Sequence, residues 1–401
     1  MKKTKKKKVL LCVNCLKDIG GISTAASNLI NEIHNKYNVT LCLTSNYISP
    51  NYQLPPNVKI IRGSDYLRDV IMDRRLLVGQ NWYQKIIRNV RRLLNHYVLK
   101  TKGIEWALRR IKIEEKYDVA IAFSDYRYSR ILCKCYEYDV VLNNVSARKK
   151  IAWIHNEPTN LGWTRNTALA RLSDFDAIVN VSEFCKEIFD RIVPDFTNKS
   201  HVVYNTYNLE KILTQSVVSD KLYSDNGNIH FVTVARIQTE QKRIDRVIEV
   251  CHRLKEEGLI NFDWTLVGNS PELGDFVNKV KVLGLSNMIR FVGLQSNPYP
   301  YMKQADAFIL TSSYEGFGMT IRESLILGTP TFVTNFGPAN EAVENEKQGE
   351  ICENSTDGVY KMIKSILQSP DKINKYREYI SLNPIDNTKA LEQFDKICIT
   401  D

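Results

Sequence analysis

Strand-like apolar runs alternate with helix-like segments along this chain from end to end, and that alternation restricts its fold more than any other feature. Short apolar runs fall at residues 8–13, 39–43, 58–61, 119–123, 150–154 and 177–181. They return at 229–235, 264–267, 289–292, 307–310 and 331–333. Between them lie stretches whose apolar residues recur every three or four positions, the spacing of one helix face. A strand–helix–strand order needs crossover connections, so the sheets it builds are parallel and covered by helices. A chain of 401 residues has room for two such domains. The polar stretch 219–228 follows the first set of strands. The expected fold class is α/β, with parallel-sheet domains over 1–205 and 206–384 and a further terminal segment over 385–401.

The most specific local signal is Tyr314-Glu315-Gly316-Phe317-Gly318-Met319-Thr320-Ile321-Arg322-Glu323. The apolar run before it predicts a buried strand, and the run after it a helix that stops at Gly328-Thr329-Pro330. Glu315 then belongs to a strand-to-helix loop at the carboxyl edge of a sheet, where open α/β folds bind ligands. The loop glycines let backbone N–H groups at the helix start point toward an anion such as phosphate. Glu323 falls roughly five residues into the helix, about 7 Å along its axis, the reach from a diphosphate to its ribose. Paired ribose hydroxyls suit a carboxylate acceptor. A second strand, 229–235, ends in Arg236, and Lys242 follows just before another helix. Arg supplies a bidentate fork for phosphate and Lys a compact charge.

Two glutamates eight apart around Gly-Phe-Gly, with an Arg and a Lys at this spacing upstream, resemble the donor site of family-4 retaining glycosyltransferases. That resemblance implies the GT-B fold, with the active site in a cleft between two Rossmann-like lobes and the terminal helix crossing back onto the first. It implies that Glu315 faces the transferred sugar, that Phe317, Gly318 and Met319 contact the donor, and that Glu323 holds the ribose. Arg236 and Lys242 would neutralise the diphosphate leaving group. In the first lobe it implies that Gly21, of the pair Gly20-Gly21, lines the cleft opposite the donor phosphates. His155, at the end of the strand 150–154, would stand near the sugar. Gly268 and Asn269 would touch the nucleoside, Gln295 and Ser296 the base, and Glu341 matches a further family position. The resemblance is specific over about 231–352 and loose before residue 151. The implied activity is transfer of a sugar from a nucleotide diphosphate, with a UDP-sugar as co-substrate and no further cofactor or metal. The acceptor would be a hydroxyl of a glycan or lipid-linked molecule in surface-polysaccharide assembly. A nucleotide-sugar epimerase of the same fold, and a non-catalytic membrane-binding protein on a decayed enzyme, are the alternatives.

Other motifs carry less. Asp174-Phe175-Asp176 precedes its strand, whereas the Asp-x-Asp metal motif follows one. Ser182 is an N-cap in its simplest reading. Nine cysteines, an odd number without framework spacing, suit a reducing compartment; Cys12 with Cys15 and Cys133 with Cys135 are the tight pairs. No apolar run reaches the ~20 residues that span a bilayer, and no signal-peptide pattern follows the basic start, so a cytoplasmic protein is expected. The net charge of +10 is concentrated between Lys85 and Lys112, where Arg88, Arg91, Arg92, Lys100, Lys102, Arg109 and Arg110 face one acid, Glu105. Ile86, Val90, Leu93, Tyr97 and Trp106 are interleaved at helical spacing. A basic amphipathic helix of this kind suits an anionic membrane surface on the inner face of the membrane, with these arginines among the cations that meet it. No nucleic-acid-binding module accompanies the charge.

Overall fold

The computed structural model describes residues 6–17, 21–72, 81–125 and 135–399. Gly20 and Cys133 lie outside the described residues, as does the side chain of Lys100. The chain divides into two compact units, Met1–Tyr207 with Thr388–Asp401, and Asn208–Asn387.

The first unit is built on seven strands: β1 (Lys8–Val13), β2 (Asn38–Leu43), β3 (Lys59–Arg62), β4 (Lys116–Phe123), β5 (Ser146–Ile154), β6 (Ala177–Asn180) and β7 (Ser200–Val202). Their order across the sheet is β3-β2-β1-β4-β5-β6-β7, and every pairing is parallel. The second unit has six: β8 (Ile229–Val234), β9 (Phe262–Val267), β10 (Ile289–Gly293), β11 (Ala307–Leu310), β12 (Thr331–Thr334) and β13 (Ile351–Cys352). Their order is β10-β9-β8-β11-β12-β13, again all parallel. Helices on both faces bury the central strands, which explains their unbroken apolar runs: all four residues of β6, β11 and β12 are buried. In each sheet the strand order reverses once, between β1 and β4 and between β8 and β11. Loops leaving the carboxyl ends of the strands on either side of such a reversal diverge and leave a crevice for a ligand.

The helix Thr388–Ile399 belongs to the first unit although the whole second unit precedes it in sequence. Its Phe394 is fully buried and meets the ring of Tyr37 edge-on at 5.7 Å. Asp395 accepts from the Tyr37 hydroxyl at 2.6 Å and pairs with Lys36 at 2.5 Å. The Lys7 ammonium donates to the Cys398 carbonyl at 3.1 Å.

The basic segment folds as the helices Trp82–Leu94 and Lys100–Leu108, joined by a π-helical turn at Asn95–Leu99. Asn81 and Gln84 form a capping box at its start. Its orientation corrects the expectation for the arginines. Arg88 is buried, Arg91 pairs with the buried Asp69 at 2.6 Å, and Arg92 donates to the Asp69 carbonyl at 2.6 Å. These side chains clamp the helix onto Asp65–Ile71, so solvent meets the other face. Trp82, Tyr83, Ile86, Val90, Leu93 and Tyr97 are all exposed, Trp82 by 73% and Tyr97 by 71%. The cations left outward are Lys85, Lys102, Arg109, Arg110 and Lys112, with the Arg110 guanidinium 3.7 Å from the Trp106 ring centre. The helix is therefore amphipathic with its apolar side outward. Among the described residues, no helix is long and apolar enough to cross a membrane.

Candidate active site

The strand-order reversal in the second unit brings together the loops after β8 and β11. Ala307 of β11 lies beside Phe231 of β8 in register, so Arg236 and Lys242 on one loop and Glu315 on the other leave the same edge of the sheet. Glu315 is 7% exposed and both of its oxygens are engaged. Its Oε1 accepts from the Lys242 ammonium and from Ser312 Oγ at 2.7 Å. Gln241 Nε2 approaches its Oε2 at 3.4 Å. On its other side, Gln241 accepts from Arg236 Nη2 at 2.7 Å. Arg236, Gln241, Glu315, Lys242 and Ser312 thus form one hydrogen-bonded chain across the two loops. Burying Lys242 and Glu315 together keeps the pair neutral overall, and neither charge is isolated from a partner.

Supporting contacts fix these loops from below. Thr311 Oγ1 donates to the Lys242 carbonyl at 2.9 Å, and Ser313 N–H donates to the Gln241 carbonyl at 2.8 Å. The buried Arg246 donates to the Thr311 carbonyl at 3.0 Å and to Asn354 Oδ1 at 2.7 Å. Asn354 in turn donates to the Ser313 carbonyl at 2.9 Å. Gln241, Ser312, Arg246 and Asn354 were not singled out in the sequence. Only Gln241 carried a hint there, as the neighbour of Lys242.

Beyond Glu315 the loop turns through Gly318, whose φ of +81° favours glycine, into the helix Met319–Ile326. Phe317 is buried, and no side chain caps this helix start, so the amides of its first turn are not covered by a capping oxygen. Glu323 is buried one turn on, beside Lys211 and Tyr299 rather than in the Glu315 network. Burial pushes its carboxyl up to about 7, with Lys211 and a hydrogen bond from Tyr299 offsetting part of that effect. Gly268 follows β9 at φ +150°, and a Cβ there would lie 1.8 Å from the Ala235 carbonyl oxygen. Its amide donates to the Gly293 carbonyl at 2.9 Å. Glycine at this position lets the end of β9 approach the end of β8. Asn269 accepts from Ser270 N–H at 2.8 Å, Gln295 donates to the Val292 carbonyl at 2.7 Å, and the Glu341 carbonyl accepts from Arg322 at 3.1 Å.

In the first unit, His155 directly follows β5 and is buried. Its backbone N–H donates to Asp125 Oδ1 at 2.6 Å, while Asn156 donates to the other oxygen. The ring lies edge-on to Phe123 at 4.2 Å and parallel to Trp153 at 6.3 Å. Burial drives its pKa down to about 3, so the imidazole is neutral at pH 7, and its Nε2 has no hydrogen-bond partner. Gly21 opens the helix Gly21–Ile33 and is exposed, with no atom within 4 Å of where a Cβ would stand. Asp176 accepts from Lys150 N–H at 2.6 Å, a structural role, and Ser182 caps the helix Glu183–Ile192 through Cys185 N–H at 3.1 Å.

Residues 217–382, which carry the whole network, match the family model described as glycosyl transferases group 1. The chain is 26% identical over 202 residues to an uncharacterized glycosyltransferase of Methanocaldococcus jannaschii, covering 47% of this chain and 48% of that one. It is 27% identical over 194 residues to the lipopolysaccharide core biosynthesis glycosyltransferase LpsE of Rhizobium meliloti, covering 48% and 52%. It thus spans about half the length of these curated relatives. In fold it resembles Anabaena HepE in complex with UDP, with a TM-score of 0.67 at 13% identity over 98% of this chain and 99% of the other. Two wholly parallel sheets and the likeness to HepE over nearly the whole chain show the GT-B fold, and within it residues 217–382, with the network at the reversal between β8 and β11, match the glycosyl transferases group 1.

Proposed function

We propose that this chain is a retaining glycosyltransferase that moves a sugar from a UDP-sugar to a hydroxyl of a glycan or lipid-linked acceptor in cell-surface polysaccharide assembly. The observation that carries the reading is the joining of Arg236, Lys242 and Glu315 in one network where the strand order reverses. The names of its relatives, a lipopolysaccharide core enzyme among them, support the setting. In the reaction, the bond between the sugar's anomeric carbon and the phosphate oxygen breaks, and its electron pair leaves with the diphosphate. Arg236 and Lys242 stabilise that growing charge, an effect worth several kcal/mol in a preorganised site. The acceptor oxygen bonds to the anomeric carbon on the face the diphosphate vacates, and its proton passes to a departing phosphate oxygen. Glu315 positions the sugar, Glu323 accepts from the ribose hydroxyls, and the first-turn amides of Met319–Ile326 meet the diphosphate. His155, neutral and with an unshared Nε2, offers that nitrogen to a sugar hydroxyl.

The decisive experiment incubates UDP-sugars with and without candidate acceptors and follows release of UDP and the anomeric configuration of the product. Acceptor-dependent release with retained configuration is expected. An isomeric nucleotide-sugar formed from donor alone identifies an epimerase instead. Arg236→Ala and Glu315→Ala should each lower turnover by about 10²- to 10⁴-fold with the fold intact; near-normal rates in both overturn the assignment of the site.

The outward apolar face of Trp82–Leu94, flanked by Lys85, Lys102, Arg109, Arg110 and Lys112, supports peripheral docking on an anionic inner leaflet. Trp82, Tyr83 and Tyr97 would sit at headgroup depth, and the lysines and arginines would meet lipid phosphates.

A further inference from the structure

We infer that Gln241 is a positioning residue that sets the leaving-group cation Arg236 and the sugar-facing Glu315 in one frame; its role in transfer rests on the function proposed above. Gln241 is 6% exposed and touches both loops at the reversal between β8 and β11. Its Oε1 accepts from Arg236 at 2.7 Å. Its Nε2 donates to the Tyr314 carbonyl at 3.1 Å and approaches Glu315 Oε2 at 3.4 Å. Its backbone carbonyl accepts from Ser313 N–H at 2.8 Å, so main chain and side chain join the same two loops.

The chemistry of the site selects a carboxamide. One end must accept from a guanidinium and the other must donate to a carbonyl and a carboxylate, and among side chains of this length only glutamine carries both a fixed acceptor and a fixed donor. The reversed amide would set its NH2 against the Arg236 guanidinium and its oxygen against two acceptors. A lysine would repel Arg236. A leucine fills the space but leaves the Tyr314 carbonyl and the guanidinium without this partner, and buried groups left so are costly. A glutamate is the informative case. Ionised, it keeps the bond from Arg236 but sets a second carboxylate about where Nε2 now approaches Glu315. Protonated, its hydroxyl donates where Nε2 now does, and its carbonyl still accepts from Arg236. Two facing carboxylates raise the pKa of one of them.

The test is Gln241→Glu beside Gln241→Leu. In Gln241→Leu, kcat should fall about 10- to 100-fold while the donor KM changes less than about three-fold, the pattern of lost positioning in the transition state. In Gln241→Glu, the kcat ratio of variant to wild type should recover at least about ten-fold as pH falls from 8 to 5, which no loss of packing would produce. A second readout needs no turnover. A carboxyl whose folded pKa is raised holds its proton more tightly in the folded state, so stability falls as pH rises. The melting temperature of Gln241→Glu should therefore match wild type most closely at pH 5 and drop below it progressively toward pH 8. Wild-type protein that transfers no sugar refutes the proposed function, and the melting profile still decides the placement of Gln241. A melting difference that does not change with pH overturns that placement. A pH-independent kcat ratio, in protein that transfers sugar, overturns the positioning role.

Discussion

Glu323 is a carboxyl held by burial near the pH at which the protein would work, and its titration has a definite sign. With a folded pKa pushed up to about 7, it is mostly ionised at pH 8 and mostly protonated at pH 6. Only the carboxylate accepts from both ribose hydroxyls. The dissociation constant for UDP should therefore rise about ten-fold between pH 8 and pH 6, and Glu323→Gln should flatten that profile; isothermal titration calorimetry at several pH values measures both. The raised pKa also means that the group's contribution to stability declines as pH rises from its ordinary value of 4.5 through about 7. At this scale the sequence exposes charge and spacing but not partnership. Glu315 and Lys242 stand out as charged residues around strand ends, yet their ion pair follows from the β8–β11 register, which no local pattern encodes. Gln241, uncharged and outside any periodicity, becomes significant only once Arg236 and Glu315 are seen on either side of it.

The element most altered by tertiary context is the helix Trp82–Leu94. Its spacing shows that it is two-faced; which face turns inward depends on Asp69, a buried carboxylate that draws Arg91 and, through its carbonyl, Arg92. The exposed stripe from Trp82 to Tyr97 runs about 22 Å along the helix at 1.5 Å per residue. Replacing Trp82, Ile86 and Tyr97 by serine should abolish flotation with anionic liposomes and leave the melting temperature nearly unchanged, since these side chains are exposed already. Neutralising Lys85, Lys102, Arg109 and Arg110 should make the remaining binding insensitive to salt. Full flotation after the serine substitutions would sink the docking surface. Strands were easier to read. The central ones announce themselves as apolar runs, whereas β13 has only two residues at a sheet edge and no period to detect. The lysines and arginine that open β5 likewise hide its first half, because that end of the strand is only partly covered.

For the whole molecule, chain order and spatial order part company at one place. Thr388–Ile399 completes the first unit through Phe394, which is fully buried against Tyr37 and lies near Trp153. Phe394→Ala should cost about 3–5 kcal/mol, read as a lowered denaturant midpoint, with faster hydrogen exchange in β1 and β2 rather than in the second unit. Equal loosening in both units would contradict the division at residues 207 and 388. The alternation of runs, together with the chain's length, made two domains legible in the sequence. The attachment of the last helix was legible only as a family trait, because nothing in its own residues names the surface it covers. Its late position also imposes a timetable on biosynthesis. Residues 208–387 must leave the ribosome before the helix can dock, a wait of roughly 10 to 40 s at 5–20 residues per second. Throughout that interval the nascent amino-terminal half carries an uncovered greasy seam at Tyr37 and Trp153, which is where a holding chaperone would find its grip.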